Sequence, residues 1–132
     1  YMNLIENIND VAGIRIVCNL KDDIFFVKDL VKQIPGIQII KEKDYITNPK
    51  KSGYSSYHII LEVPVKLTSK TVFVKCEMQI MTLAMNFWAN FEHKLKYKTD
   101  KNTSRKASKE LVSCAKMITR FDDKMARNGN IG

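Results

Sequence analysis

The chain has 132 residues, of which 45% are hydrophobic, and its formal net charge is +8. This length suits one domain with one modest core, and no apolar run approaches the roughly 20 residues that span a bilayer. We therefore expect neither a membrane span nor a signal peptide. The excess of basic residues points to anionic partners such as nucleotides or RNA. Three cysteines without metal-ligand spacing indicate reduced thiols in a cytoplasmic protein.

The first third of the chain predicts a strand, a helix and a second strand. An apolar run rich in β-branched residues predicts the first strand over 11–18. Apolar residues at helical spacing predict a helix over 21–33, capped at its start by Asn19 or Asp22. The second strand is predicted over 37–43.

A β-hairpin is predicted next, with strands over 56–63 and 71–80 joined by a turn over 64–70. Apolar and polar residues alternate along the second of these strands. Because side chains on a strand point alternately to opposite faces, this pattern places Glu77 on a polar face, away from the core.

Two helices are predicted to complete the domain, over 81–96 and 104–127, with a polar linker at 98–103. Both carry apolar residues at helical spacing, and we interpret the first stripe as core-facing. The second stripe can pack on the sheet or on another copy of the chain. The first stripe consists of Leu83, Phe87, Trp88, Phe91 and Leu95, and the second of Ala107, Leu111, Cys114, Ile118, Phe121 and Met125. The order β-α-β-β-β-α-α predicts an α+β fold, with helices packed on a mixed sheet.

The segment from Lys43 to His58 reads Lys-Asp-Tyr-Ile-Thr-Asn-Pro-Lys-Lys-Ser-Gly-Tyr-Ser-Ser-Tyr-His. Its lysines can face phosphates, Gly53 allows the backbone to approach a ligand closely, and its tyrosines offer faces on which a base can stack. Tyr54 follows that glycine, so we expect its ring to stand clear of the loop. A solvated surface turn is the alternative, since Asn-Pro and Ser-Gly are ordinary turn dipeptides.

Two carboxylates lie near the ends of predicted strands. Asp10 precedes the first strand, and Glu77 lies on the last one. If these strands are neighbours, the two side chains can share a Mg²⁺ ion, which takes oxygen ligands and serves phosphoryl transfer. The alternative is that Asp10 caps a turn and Glu77 is an ordinary surface residue.

Four segments, in this order, resemble the synthetase domain of RelA/SpoT alarmone enzymes, most closely the small single-domain synthetases. They are Asp-Val-Ala-Gly-Ile-Arg (10–15), the 43–58 segment, Glu-Met-Gln-Ile-Met-Thr (77–82) and Phe-Trp-Ala-Asn-Phe-Glu-His-Lys-Leu-Lys-Tyr-Lys (87–98). The resemblance implies a nucleotidyltransferase-like fold and transfer of a pyrophosphoryl group from ATP to the 3′-hydroxyl of GTP or GDP, giving pppGpp or ppGpp. It also implies a homo-oligomer, with a tetramer as one form.

The resemblance further implies roles for individual residues. Asp10 and Glu77 correspond to the pair that binds Mg²⁺, and Glu77 is also a candidate base for the 3′-hydroxyl. Tyr54 corresponds to the tyrosine that stacks on guanine, and Arg15 to an arginine against the adenine of ATP. On the acceptor side, the phosphates are contacted by Lys43, Lys50 and His58, and the neighbouring helix segment contributes Glu92 and His93.

Three departures from the family pattern bear on activity. Met81 and Ser52 stand where the family often has arginine and asparagine. Only nine residues precede Asp10, where family members have helices whose basic residues clamp ATP. We therefore interpret residues 1–132 as a single synthetase-like domain lacking those helices. We expect it to bind guanine nucleotide better than ATP and to turn over poorly.

Two other functions fit part of the pattern. The charge and the loop tyrosines also suit a module that binds single-stranded RNA. A related transferase could move pyrophosphate onto the 3′ end of a tRNA. Retention of both Asp10 and Glu77 favours an enzyme, and Tyr54 favours a guanine acceptor.

Overall fold

A computed structural model of the protein describes residues 12–98 and 101–128. Its elements follow the predicted order and form an α+β fold. They are β1 (Ala12–Cys18), α1 (Lys21–Lys32), β2 (Gln38–Asp44), β3 (Tyr57–Lys66), β4 (Thr71–Thr82), α2 (Leu83–Lys98) and α3 (Lys101–Asn128).

The strands form one mixed sheet in the order β1-β4-β3-β2. β1 runs parallel to β4, whereas β4–β3 and β3–β2 are antiparallel pairs. The first and last of the described strands are therefore neighbours, as the predicted sharing of a cation requires.

Several element boundaries differ from the prediction. The hairpin is longer than expected, because Pro64 pairs with Phe73 inside the ladder and the turn closes through a hydrogen bond from Leu67 N–H to the Lys70 carbonyl. The pairing of β2 with β3 ends at Glu62. Pro64 therefore lies where β3 has no β2 partner, and a residue without an N–H group is tolerated there.

The helix boundaries also needed correction. β4 continues to Thr82 because its last residues pair with β1, so α2 begins two residues later than predicted. α1 has Leu20 at its N-cap without a side-chain capping hydrogen bond, so the prediction of a cap by Asn19 or Asp22 was wrong. Much of the predicted polar linker belongs to α3, which already begins at Lys101.

One face of the sheet packs against α1. Ile24 and Val31 of this helix are buried in the same cluster as Ile59, Leu61 and Ile80. Two free thiols, Cys18 and Cys76, are buried there as predicted, and burial raises the pKa of both. This layer leaves the opposite face of the sheet free for other contacts.

A second cluster joins α2 to α3 and corrects the predicted stripes. Its buried members are Trp88, Ala89, Leu111 and Ala115, and the Trp88 Nε1–H donates a 2.8 Å hydrogen bond to the Leu111 carbonyl. Trp88 and Leu95 of the predicted α2 stripe pack in this cluster, whereas Leu83, Phe87 and Phe91 face outward and are 59%, 71% and 48% exposed. The stripe prediction failed for these three residues because helical spacing defines a face without defining which part of it meets the core. On α3, Phe121 and Met125 are likewise exposed.

None of the described helices combines the length and apolar character that crossing a membrane requires.

The edge of the sheet is tied to α1 through Glu42. Its carboxylate accepts hydrogen bonds from Tyr57 Oη at 2.8 Å and pairs with Lys32 Nζ at 2.9 Å. The bond from Lys32 lowers the pKa of Glu42 below its ordinary value of 4.5; burial opposes this shift, and the bond from Tyr57 adds to it.

We predict that Glu42→Gln flattens the acid dependence of stability. The pKa of Glu42 is lower in the folded state than in the unfolded state. The Glu42 contacts therefore stabilise the fold at pH values above the unfolded-state pKa, and this stabilisation is lost as the pH falls through the folded-state pKa. The wild-type urea midpoint should therefore fall more steeply than that of Glu42→Gln between about pH 5 and about pH 3. Parallel curves for the two proteins would contradict this assignment.

Candidate active site

Two rows of side chains cross the face of the sheet opposite α1, which we call the open face. Strand register places Arg15, Gln79, His58 and Lys43 in one row. The neighbouring row consists of Gly13, Glu77, Ile60 and Lys41. Adjacent strands are about 4.8 Å apart, so each row extends over about 14 Å. The candidate residues Arg15, Lys43, His58 and Glu77, predicted on four different strands, thus share one surface.

A β-bulge in β2 is what brings both lysines to the open face. Ile39 pairs with Leu61 on the core side, yet Lys41 pairs with Ile60, and the register shifts between them. Regular alternation from Ile39 would turn Lys41 and Lys43 toward α1. The extra residue, Ile40, reverses the alternation.

One end of the open face is basic and forms a cleft of about 130 Å³, which we call the basic cleft. It is lined by Lys41, Lys43, Tyr45, Lys50, His58 and Ile60. Lys50 Nζ lies 5.0 Å from the ring centroid of Tyr45 and 5.3 Å from that of Tyr54, within the range of cation–π attraction. Three ammonium groups on one small concave surface can neutralise a polyphosphate.

His58 presents an unpaired nitrogen to this surface. Its Nε2 atom is buried and has no hydrogen-bond partner among the described residues. Burial lowers the pKa of His58, Glu77 opposes the shift and nearby lysines reinforce it. The imidazole is therefore neutral at neutral pH, and its 4.0 Å approach to Glu77 is a polar contact rather than an ion pair.

The other end of the open face is a more open cleft of about 270 Å³, the arginine cleft. It is lined by Gly13, Ile14, Arg15, Glu77 and Gln79. Three amide oxygens hold the guanidinium: Arg15 Nε donates to Gln79 Oε1 at 3.1 Å, and Nη1 donates to Asn86 Oδ1 and Asn90 Oδ1 at 2.9 and 3.1 Å. None of these partners is charged, so the full positive charge of Arg15 is kept while its plane is fixed.

The start of α2, which carries Asn86 and Asn90, is fixed by a buried hydrogen bond. Thr82 Oγ1 accepts the N–H of Met85 and donates to Asp122 Oδ2 of α3 at 2.7 Å. Asp122 is buried, and burial raises its pKa. A helix whose cap is held in this way gives Arg15 a rigid set of acceptors.

Glu77 lies at the boundary between the two clefts. It lines the arginine cleft, while its β3 partner Ile60 lines the basic cleft. Its side chain is 44% exposed and on the polar face of β4, as predicted. A carboxylate at this position can accept a proton or bind a cation between the contents of the two clefts.

The loop between β2 and β3 is ordered by its own polar groups. Asp44 Oδ1 accepts the N–H groups of Ile46 and Thr47, and Oδ2 accepts the Thr47 hydroxyl. Burial alone would raise the pKa of Asp44, but these hydrogen bonds outweigh it and lower the pKa. The loop is therefore a defined structure rather than a solvated turn.

Gly53 has a packing function that was not predicted. Its φ of +103° favours glycine. A Cβ atom there would lie 2.7 Å from Ala115 Cβ and 3.0 Å from Trp88 Cζ2. The missing side chain is thus required for the loop to pack on α2 and α3, and this packing accounts for the glycine without a ligand.

Tyr54 is half-buried rather than clear of the loop as we expected. Its ring packs against both hydrophobic clusters and meets Tyr45 edge-on, with centroids 6.2 Å apart. Burial raises the pKa of its phenol. The ring is therefore held in a fixed orientation, next to Lys50.

The remaining predicted residues differ in how well they can be placed. Glu92 on α2 is half-buried and interacts electrostatically with Tyr54, whereas His93 is exposed on the same helix. Asp10 lies outside the described residues, so the predicted carboxylate pair stays a prediction. Within the described ranges, no group of three or more His, Cys, Asp or Glu side chains is arranged to hold a metal ion.

Sequence reasoning missed several residues of the site. Lys41, Gln79, Asn86 and Asn90 all contribute side chains to the two clefts or to the Arg15 hydrogen bonds. Gln79 could have been found, because it has the same strand parity as Glu77. The α2 asparagines had no signal of their own, since their importance depends on the distance to Arg15.

The family model for the region found in RelA/SpoT proteins matches residues 2–102. The chain therefore belongs to the RelA/SpoT family. Among curated relatives, it is 44% identical over 120 residues to the GTP pyrophosphokinase YwaC of Bacillus subtilis, a match that covers 91% of this chain. The chain spans only 57% of that relative's length.

Two solved structures share the fold. Small alarmone synthetase 2 from Bacillus subtilis has a TM-score of 0.89 and 42% identity, and the match covers 96% of this chain and 70% of that one. Small alarmone synthetase 1 from the same organism, bound to its product pppGpp, has a TM-score of 0.85 and 36% identity, with 99% and 67% covered. The predicted nucleotidyltransferase-like α+β fold is thereby confirmed.

We predict that Gly53→Ala destabilises the protein by about 2–4 kcal/mol, from the strained φ and the overlap with Ala115 and Trp88. Gly13→Ala is the matched control, because a Cβ at Gly13 has no atom within 4 Å. We expect the control to stay within about 1 kcal/mol of wild type. Urea unfolding of the three proteins measures both values. Equal stability of the two variants would contradict the packing assigned to Gly53.

Proposed function

We propose that the chain transfers a pyrophosphoryl group from ATP to the 3′-hydroxyl of GTP or GDP, giving pppGpp or ppGpp. The observation that carries this proposal is the position of Glu77 between a basic cleft and an arginine cleft. Two nucleotides bound in these clefts would meet at Glu77. Family membership and the named activity of YwaC support the same reaction.

We assign the basic cleft to the acceptor nucleotide. Lys43 and Lys50 supply charge for its phosphates, and Lys41 lies in the same cleft and adds to it. The buried Nε2 of His58, which has no partner among the described residues, accounts for one more polar contact. Tyr54 offers a fixed ring for guanine, with Glu92 and His93 on the α2 side of the acceptor.

The donor ATP is assigned to the arginine cleft. Arg15, with its plane set by Gln79, Asn86 and Asn90, offers a flat cationic surface against the adenine. Positioning of the donor and acceptor phosphates accounts for much of the catalysis in phosphoryl transfer. The described residues provide such positioning from the strands, from α2 and from the hydrogen-bonded loop between β2 and β3.

Glu77 is the candidate base for the 3′-hydroxyl and, with Asp10, the candidate ligand of Mg²⁺. The fit rests on the exposed carboxylate of Glu77, which lines the arginine cleft and lies 4.0 Å from His58 of the basic cleft, since Mg²⁺ is usually held by one or two carboxylates together with substrate phosphates. When bound, the ion neutralises phosphate charge. We also assign the reaction to the cytoplasm, where the buried thiols Cys18 and Cys76 stay reduced.

The assay uses Mg²⁺ and ATP labelled in its β-phosphate, with GDP, GTP or tRNA as acceptor. Label should pass to GDP or GTP, and Glu77→Gln should lower the rate about 100-fold or more, in the range of a lost general base. Glu62→Gln is the matched control, on the same face two residues along β3 from Ile60; we expect it to keep the wild-type rate. Transfer of label to tRNA alone, or to none of the three, would overturn the proposal.

The same preparation should bind GDP more tightly than ATP and turn over slowly. The basic cleft offers several cationic groups, whereas the Arg15 guanidinium already donates to three side chains. Competition of each nucleotide against a fluorescent GDP analogue measures this difference. Equal affinities, together with rates equal to those of a full-length relative, would show that the 132 residues suffice.

We also propose that the chain forms a homo-oligomer, with a tetramer as the form that the resemblance implies. The exposed apolar residues Leu83, Phe87 and Phe91 on α2 support this, the two phenylalanine rings being stacked with centroids 6.4 Å apart. Sedimentation velocity should give a species larger than a monomer, and Phe87→Ser should reduce it. A monomeric wild type at micromolar concentration would refute the assembly.

A further inference from the structure

The helix α3 extends beyond the region matched to the family, yet it contacts the loop assigned to the acceptor. The matched region ends at residue 102, whereas Ala115 near the middle of α3 forms one side of the recess that receives Gly53. Trp88 of α2 forms the other side. We call this recess the notch. The gap left around it measures only about 10 Å³, so additional atoms would have to displace the loop.

The notch is rigid because two buried hydrogen bonds join the helices that form it. Trp88 donates its indole N–H to the Leu111 carbonyl, one turn before Ala115. Further along α3, Asp122 accepts the hydroxyl hydrogen of Thr82 at the start of α2. A larger side chain in the notch is therefore accommodated more easily by movement of the loop than by movement of the helices.

The turn that enters the notch carries two of the proposed acceptor contacts. Gly53 N–H donates to the Lys50 carbonyl at 2.9 Å, and Lys50 N–H donates to the Tyr54 carbonyl at 3.0 Å. These backbone bonds make residues 50–54 a single closed unit. Displacing Gly53 must therefore shift the Lys50 ammonium and the Tyr54 ring together.

We infer that Ala115 is a positioning residue for the guanine-nucleotide acceptor. Its small side chain leaves room for Gly53 to pack in the notch, and this packing sets the positions of Lys50 and Tyr54. The inference rests on the proposed function for the identity of the ligand. It assigns to α3 a part in acceptor binding in addition to its part in the core. ATP, assigned to the arginine cleft on the opposite part of the sheet, should be little affected.

The test compares Ala115→Leu with Cys114→Leu in the full 132-residue chain. Both add the same side chain to neighbouring positions of α3, but Cys114 is exposed. Ala115→Leu should raise the Kd for GDP roughly tenfold or more, the scale expected when a packed site is overfilled. The Kd for ATP should stay within about twofold of wild type, and Cys114→Leu should leave both values unchanged.

Limited trypsin digestion supplies a readout that does not depend on nucleotide binding. Cleavage after Lys50 and Lys51 should be faster in Ala115→Leu than in Cys114→Leu at equal global stability, measured by urea unfolding. If wild type does not bind GDP but the difference in cleavage rate persists, the proposed function is wrong, whereas the packing of the loop in the notch is supported. If Ala115→Leu does not fold, Ala115→Ser, which adds one oxygen atom, should give a smaller shift in the same direction.

Three results would overturn the inference. The first is an unchanged Kd for GDP in a variant whose loop is cleaved faster. The second is an equal loss of GDP and ATP affinity, which would indicate general destabilisation. The third is identical behaviour of Ala115→Leu and Cys114→Leu in every measurement.

Discussion

Parallel pairing of β1 with β4 is the constraint on which the rest of the site depends. These strands are far apart in sequence, and their register alone decides that Arg15 stands beside Gln79 and Gly13 beside Glu77. Since side chains alternate between faces, a shift of one residue would turn Arg15 toward the core. The pairing of β3 with β4 then places His58 beside Gln79. A site spread over four strands thus follows from a few backbone pairings.

Much of this architecture could be predicted from residue patterns. The alternation of β4 gave the correct face for Glu77, and the β-branched run before Cys18 gave β1. Clustering of lysines and tyrosines around Gly53 marked a segment from which Lys43, Tyr45 and Lys50 line the basic cleft. The family resemblance supplied the roles proposed for these residues. Such signals are local, and local patterns suffice wherever one face of an element meets the core and the other does not.

What could not be predicted depends on distances between elements. The bulge at Ile40 leaves no mark in composition, although it decides where Lys41 and Lys43 point. On α2 the apolar stripe was right for Trp88 and Leu95 but wrong for Phe87, which lies outside the core. Gly53 was interpreted through a ligand, but its neighbours are Trp88 and Ala115, which lie at least 35 positions further along the chain.

The bulge has a second consequence, for solubility. β2 is an edge strand, and an edge strand presents unpaired backbone groups that can join a strand of another molecule. An extra residue bends such an edge, and the charged side chains of Lys41 and Lys43 disfavour pairing with a flat neighbour. The same irregularity that turns two ammonium groups into the basic cleft thus also protects the sheet from growing by self-association in a crowded solution.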